Sequence, residues 1–235
     1  MDLLKKCLSE WDIDIDDKKL ELFDRYYELL ISWNEKFNLT TITEKEYVII
    51  RHFVDSISLI KFTDISGKKL LDVGTGAGFP GIPLKIMAED CSITLIDSLN
   101  KRVRFLDEVI SSLGLKGINA VHSRAEDLAK DKEYRETFDI VTSRAVANLS
   151  TLSEYCLPFV NIGGLFISYK SINIDDEYVS AEGAVSSLGG RCENIEKFNL
   201  PLSDTERSLV FIIKSEHTSE RFPRKAGMPL KKPLS

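Results

Sequence analysis

The stretch LLDVGTGAGFPGIPLKI, Leu70–Ile86, decides the fold. A short apolar run meets four glycines, Gly74, Gly76, Gly78 and Gly81, and an apolar pattern then resumes. A buried strand that ends in glycines and runs into a helix allows a tight turn and a close approach of backbone to a ligand. It also aims unpaired N–H groups at an anion. Gly76, Gly78 and Gly81 spell G-x-G-x-x-G, the spacing of nucleotide-binding turns. Pro80 and Pro83 suit a first helical turn, where an N–H lacks a partner anyway. The same glycines would serve a plain strand-to-helix turn with no ligand, so the rest of the chain has to choose.

Downstream, short apolar runs alternate with helical stretches. LLDV, SITLID, INAVH, FDIVTS and GLFISY read as strands. Helices are expected over Arg102–Leu113, Ala125–Lys130 and Asn148–Phe159, with Gly114 where a helix C-terminal glycine belongs. Strands buried on both faces between helices mean a mostly parallel, doubly wound α/β sheet. After a helix near Asp175–Leu188, the runs CENIEKFNL and RSLVFIIK are separated only by SDTE, too short for a crossover helix. They should pair antiparallel and close the sheet.

Upstream, residues 1–66 form a helical region without strand signal. Leu20, Phe23, Tyr27, Leu30 and Phe37 recur at helical steps. A second helix is expected from Thr43, where Thr43 and Glu46 make a T-x-x-E capping box. The sheet domain then spans 67–216. The last stretch, 217–235, contains RFPRKAGMPLKKPLS, with five cations and no acid, and is expected to be a basic, unpacked tail.

In an open α/β sheet, ligands sit beyond the carboxyl ends of the strands. This chain places there the Gly74–Phe79 loop, Asp97, the run Arg124, Ala125 and Glu126, then Arg144 and Lys170. Asp97 ends SITLID, where an acid takes the ribose hydroxyls of an adenosine. Ala125 and Glu126 are positioned to flank an adenine. Arg144 is placed to reach the cofactor's carboxylate or a substrate phosphate. With Arg102 at the next helix start, the cations at this edge suggest a phosphate-rich partner.

Adenosine-bearing candidates are NAD and S-adenosylmethionine. The chain after the loop completes one sheet and leaves no second, substrate-binding half. No tyrosine is followed by lysine four positions on, the pair of short-chain dehydrogenases. A closing antiparallel hairpin is the usual end of the methyltransferase version of this sheet, by analogy of fold. S-adenosylmethionine is therefore favoured, and with it a Rossmann-like class I methyltransferase. No glycine-lysine-serine/threonine follows the loop, which excludes a Walker A site. There is no Asn/Asp-Pro-Pro-aromatic loop for exocyclic amines and no Pro-Cys for pyrimidine chemistry. A ring nitrogen such as guanine N7 has an in-plane lone pair and no proton to lose, and needs only placement.

Bulk properties agree. The 235 residues are 43% hydrophobic and 29% charged, with a net charge of −6. Four scattered cysteines suggest neither disulfides nor a metal site. With no signal-peptide pattern and no run long enough for a membrane helix, a cytoplasmic monomer away from membranes is expected.

The segments WNEKFNLTTI, RHFVDS, LLDVGTGAGFPGIPL, LIDSLNKRVRFL, HSRAEDL, TSRAVANL and FPRKAGMPLKKPL together resemble the bacterial small-subunit ribosomal RNA guanine-N7 methyltransferases, the RsmG or glucose-inhibited division protein B family. The resemblance implies S-adenosylmethionine contacts at Gly74, Phe79, Ala125, Glu126 and Arg144, joined on the reading above by Gly76, Gly78 and Asp97. It implies 16S rRNA within the small ribosomal subunit as partner and a target guanine in its 530 loop. No catalytic base is carried over, and none is named. Arg102, Arg124, Lys170, Arg224 and Lys225 are the candidate RNA contacts. His52, within RHFVDS, is expected to be a core histidine bonded to a carboxylate. A small-molecule methyltransferase remains the enzymatic alternative, one that would not need the basic edge and tail. A non-catalytic rRNA-binding or assembly module is the other, separated by radiolabelled methyl transfer.

Overall fold

A computed structural model describes all 235 residues. The expected strands are β1 (Lys69–Val73), β2 (Ser92–Asp97), β3 (Ile118–His122), β4 (Phe138–Arg144), β5 (Val160–Ser171), β6 (Gly190–Asn199) and β7 (Glu206–Lys214). They form one sheet in the order β3-β2-β1-β4-β5-β7-β6. β1 pairs in parallel with β2 and β4, and β2–β3 and β4–β5 are parallel too. β7 runs antiparallel between β5 and β6, as the short SDTE connection requires. The strand order reverses between β1 and β4, which opens a crevice beyond their carboxyl ends.

Successive residues on the strands feed two different cores. Leu70, Ile93, Leu95, Ile140 and Ile167 pack on one side, Leu71, Ile96, Val141 and Phe166 on the other. The first face is covered by α1 (Asp2–Ser9), α2 (Asp17–Phe37), α3 (Lys45–Val48), α4 (Asp55–Phe62), α5 (Gly81–Met87) and α6 (Asn100–Leu113). The second is covered by α7 (Ala125–Leu128), α8 (Leu149–Cys156) and α9 (Asp175–Ser187). The N-terminal helices thus complete a layer of the sheet domain, with Leu4, Phe23, Leu30 and Phe53 in the same core as β1 and β2. Each fully buried leucine of this kind stabilises the fold by about 1.5–3 kcal/mol before entropy is counted.

Three local expectations are corrected. The buried stripe of α2 is Phe23, Tyr26 and Leu30; Tyr27 is half-buried, its hydroxyl donating to Thr43 O at 3.2 Å, and Phe37 is exposed. The helix expected at Thr43 begins at Lys45 without a side-chain cap, because the Thr43 carbonyl is turned toward Tyr27. Its continuation, Ile49–Val54, is wound as a π-helix before α4 begins. Such wide turns occur mostly as short insertions at functional sites.

The tail is packed, contrary to expectation. Phe222 is buried against the second core and Met228–Lys231 forms a short helix, α10, lying on α8. Arg135 gathers the carbonyls of Thr218 and Phe222 at 2.7 and 3.0 Å. No helix is long and apolar enough to cross a membrane.

Candidate active site

The glycine turn hangs from β1 and β2. Gly74 (φ +70°) and Thr75 both donate to Ile96 O, and Gly76 (φ +63°) donates to Asp97 Oδ2 at 3.0 Å. Beneath the turn, Asp72 Oδ2 accepts from Thr75 Oγ1 at 2.6 Å and Gly81 N at 2.9 Å, while its Oδ1 has no partner. Complete burial pushes this carboxyl up to about 6 despite those two bonds. Gly81 allows helix-on-sheet packing: a Cβ there would lie 2.2 Å from Leu95 Cδ2. Gly78 instead lets the turn pack against two helices, since a Cβ would meet Ile82 Cδ1 of α5 at 2.6 Å and Tyr26 Oη of α2 at 2.7 Å. Gly78, unlike Gly74 and Gly76, lines neither of the two cavities at this turn.

Two cavities meet at this turn, and Gly74 is the one residue that lines both. The smaller, about 230 Å³, is bounded by Asp97, Arg124, Ala125 and Glu126, with Val146 and Tyr155 opposite. Ala145 takes a left-handed φ of +57° after β4, which folds Val146 over Gly74; a Cβ on Gly74 would come within 2.7 Å of Val146 Cγ2. The larger cavity, about 780 Å³, takes Gly76 and Phe79 from the turn, Arg102 from α6, and Arg144 and Lys170 from the ends of β4 and β5. Together the two chambers leave room for an extended ligand passing over Gly74.

Apart from Arg51, whose exposed guanidinium lies over the Tyr47 ring, every titratable side chain in the larger chamber is committed to a partner. Asp55 is the hub, accepting Arg144 Nη1 at 2.8 Å and Arg207 Nε at 3.2 Å. Arg144 also donates to Arg51 O at 3.0 Å and lies 5.0 Å over the Phe79 ring. His52 stacks on Phe79 with centroids 4.6 Å apart. Its Nε2 pairs with Thr40 Oγ1 at 2.9 Å, and Nδ1 faces Arg51 O and Arg144 Nη2. Burial, and then the Arg144 cation, push the imidazole down to about 3, so the ring is neutral. Tyr169 donates to Ser56 O at 2.7 Å, and burial raises its pKa well above the usual value. Lys170 is paired with Glu177 at 2.6 Å, and Arg102 with Asp97 at 3.2 Å.

The sequence-derived site therefore assembles, with corrections. Gly74, Gly76, Phe79, Asp97, Ala125, Glu126 and Arg144 converge on the groove, and Arg102, Arg124 and Lys170 line it. Asp97 is already engaged by the N–H groups of Gly76 and Leu99 and by Arg102. Arg224 does not reach the groove as a free cation: it grips the fully buried Glu154 through Nε and Nη2, at 2.6–3.0 Å. Lys225 is exposed and lines neither cavity. His52 is bonded to no carboxylate; it is a wall of the larger chamber, which the expectation of a core histidine missed. Arg207 was missed as well, for the sequence shows only a cation at the start of a strand. The π-wound turn that presents Arg51 and His52 lies within the stretch expected to be one ordinary helix, and its altered phase is what hid their position.

Residues 19–210 match the family described as GidB, rRNA small subunit methyltransferase G. Among curated relatives, the ribosomal RNA small subunit methyltransferase G of Desulforamulus reducens is 50% identical over 99% of this chain and 97% of its own. That of Lachnoclostridium phytofermentans is 53% identical over 97% and 94%. Among solved structures, M. jannaschii TYW2 in complex with AdoMet shares the fold at a TM-score of 0.55 and 14% identity, covering 75% of this chain and 79% of that one. YcgJ from Bacillus gives a TM-score of 0.54 at 14% identity, over 70% and 100%.

Proposed function

The chain belongs to the rRNA small subunit methyltransferase G family, and from that membership we propose that it methylates N7 of a guanine in the 530 loop of 16S rRNA. It is an S-adenosylmethionine-dependent methyltransferase of small-subunit rRNA. One observation carries the finer reading. The chamber large enough for a nucleotide contains no side chain free to take a proton: Asp55 holds two arginines, His52 is neutral and engaged at both nitrogens, and Tyr169 is bonded to Ser56. An exocyclic amine sheds a proton on methylation; N7 of guanine does not.

The residues fit the donor. Gly74 and Gly76 leave the turn without side chains where the groove crosses it, and Gly74 cannot carry a Cβ under Val146. Glu126 and Ala125 would border the adenine, Asp97 the ribose, and Arg144 the methionine carboxylate. S-adenosylmethionine, when bound, supplies an electrophilic methyl whose transfer leaves a neutral thioether and a cationic purine. The protein's part is placement: His52, Phe79 and Arg144 form a stacked wall for a flat base, and Arg51 offers a cation to phosphate beside Arg102, which Asp97 holds.

The product ring is fragile to borohydride followed by aniline. Strand scission at a single guanosine of the 530 loop should appear only when small-subunit rRNA, protein and cofactor are combined. Arg144→Ala should reduce that scission by about a hundredfold while the sheet stays folded. Methyl incorporation at an exocyclic amine, at a pyrimidine, or into small metabolites alone would refute the reading.

A further inference from the structure

The C-terminal segment reads in sequence as a basic arm, yet its fixed points lie around the smaller chamber. Glu154, on α8, is fully buried, and Arg224 meets it with three contacts from its backbone N and Nε at 2.7–3.0 Å and one from Nη2 at 2.6 Å. A carboxylate buried to this extent is tolerated only when paired and hydrogen-bonded, so the segment is held at one place. Three residues on, the N–H of Gly227 donates to Glu126 Oε1 at 2.8 Å. Thr151 Oγ1 then fixes the next turn by donating to Pro229 O at 3.1 Å. These three clamps place Gly227 and Leu230 on the rim of the smaller chamber, facing Ala125 and Val146. Leu230 is 62% exposed and Val146 40% exposed, two apolar side chains lining the same cavity. Apolar rims of this kind mark ligand-binding clefts.

We propose that the clamped segment Arg224–Leu230 is a wall of the adenine subsite and sets cofactor affinity, Glu154 acting as its positioning residue and Leu230 as its contact. The proposal rests on the assignment of S-adenosylmethionine to the groove. The segment reaches only the smaller chamber, so it senses the adenosine half of a ligand and not the sulfur or the methyl. Glu126 has a double part: one carboxylate oxygen holds the wall at Gly227, which leaves the other for the ligand.

The test is calorimetry of S-adenosylmethionine and S-adenosylhomocysteine on the full chain, its Leu230→Asp and Glu154→Gln variants, and a Lys231→Ala/Lys232→Ala control. Leu230→Asp removes an exposed side chain, so its melting temperature should match the wild type. It should raise both dissociation constants by the same factor, roughly tenfold, as expected for losing one leucine contact. Its KM for the donor should rise with kcat unchanged at saturation. Glu154→Gln keeps the hydrogen-bond acceptor but loses the charge, and should weaken both ligands equally. The lysine control should bind both ligands like the wild type. If the wild type binds neither ligand, the cofactor assignment falls and the wall with it. If it binds and Leu230→Asp is within twofold of it, or the two ligands lose affinity by different factors, the wall alone is overturned.

Discussion

A single histidine shows how the chamber's composition becomes a measurable property. In the unfolded chain His52 would gain a proton below about 6.5, whereas the native ring resists it to about 3. Between those values the unfolded state binds more protons, so stability is lost as pH falls. Asp72 acts in the opposite direction. Its folded value of about 6 lies above 3.8, so the native state holds the proton over that interval and gains stability on acidification, a gain lost as pH rises. Urea denaturation at pH 6.5 and pH 4 should therefore show a shallower decline in His52→Gln than in the wild type, and a steeper one in Asp72→Asn. The slopes involved are on the order of 1 kcal/mol per pH unit per proton. Identical declines in all three proteins would mean that neither group is held as described. Asp55 gives a second test. Asp55→Asn leaves the Arg144 and Arg207 guanidiniums without their common anion, and kcat/KM for rRNA should drop by about a hundredfold. An unchanged value would show that the arginines need no brace.

At the scale of elements, the glycines of one turn divide between two jobs. Gly76 has open space where a Cβ would stand and lines the larger chamber, so Gly76→Val should cost cofactor affinity, with a stability loss of about 1–3 kcal/mol from backbone strain at φ +63° alone. Gly78 faces Tyr26 and Ile82 at contact distance and has φ +97°, so Gly78→Ala should cost stability, about 1–3 kcal/mol, through strain and overpacking. Matching losses of affinity and of melting temperature in the two variants would erase the distinction. Nothing in GTGAGFPG separates these roles, because what a glycine faces is set by α2, more than forty residues upstream in sequence. The strands were legible, since apolar runs buried on both faces need no partner information to be recognised, and SDTE was too short to be anything but a turn. The π-wound Ile49–Val54 was not: one extra residue per turn shifts the apolar phase, so a helical count places His52 in the core instead of on the chamber wall. The committed cations were illegible for a related reason. Lys170 and Arg224 look solvated until Glu177 and Glu154 arrive from other elements.

For the molecule as a whole, the arrangement of charge differs from what an acidic chain with a basic end suggests. Arg51, Arg104, Arg124, Lys225, Lys231 and Lys232 are exposed, and they are among the cations available to phosphate after the paired ones are set aside. Replacing Lys225, Lys231 and Lys232 by alanine should lower the log–log salt slope of rRNA binding by about 0.7 for each contact actually made. A slope equal to the wild type's would place the RNA on another face. Deleting residues 221–235 should do something else as well: with Arg224 gone, Glu154 becomes a buried charge without a partner, a loss of about 3–5 kcal/mol in urea denaturation. An unshifted midpoint would show the segment to be dispensable. The pairing also has a direction in time. Glu154 and Arg224 are 70 positions apart, and chains emerge at about 5–20 residues per second, so for roughly 4–14 s of synthesis α8 carries a carboxylate that nothing can neutralise. A chain stalled short of residue 224 therefore carries α7, α8 and α9 on the second face but leaves Glu154 without its cation.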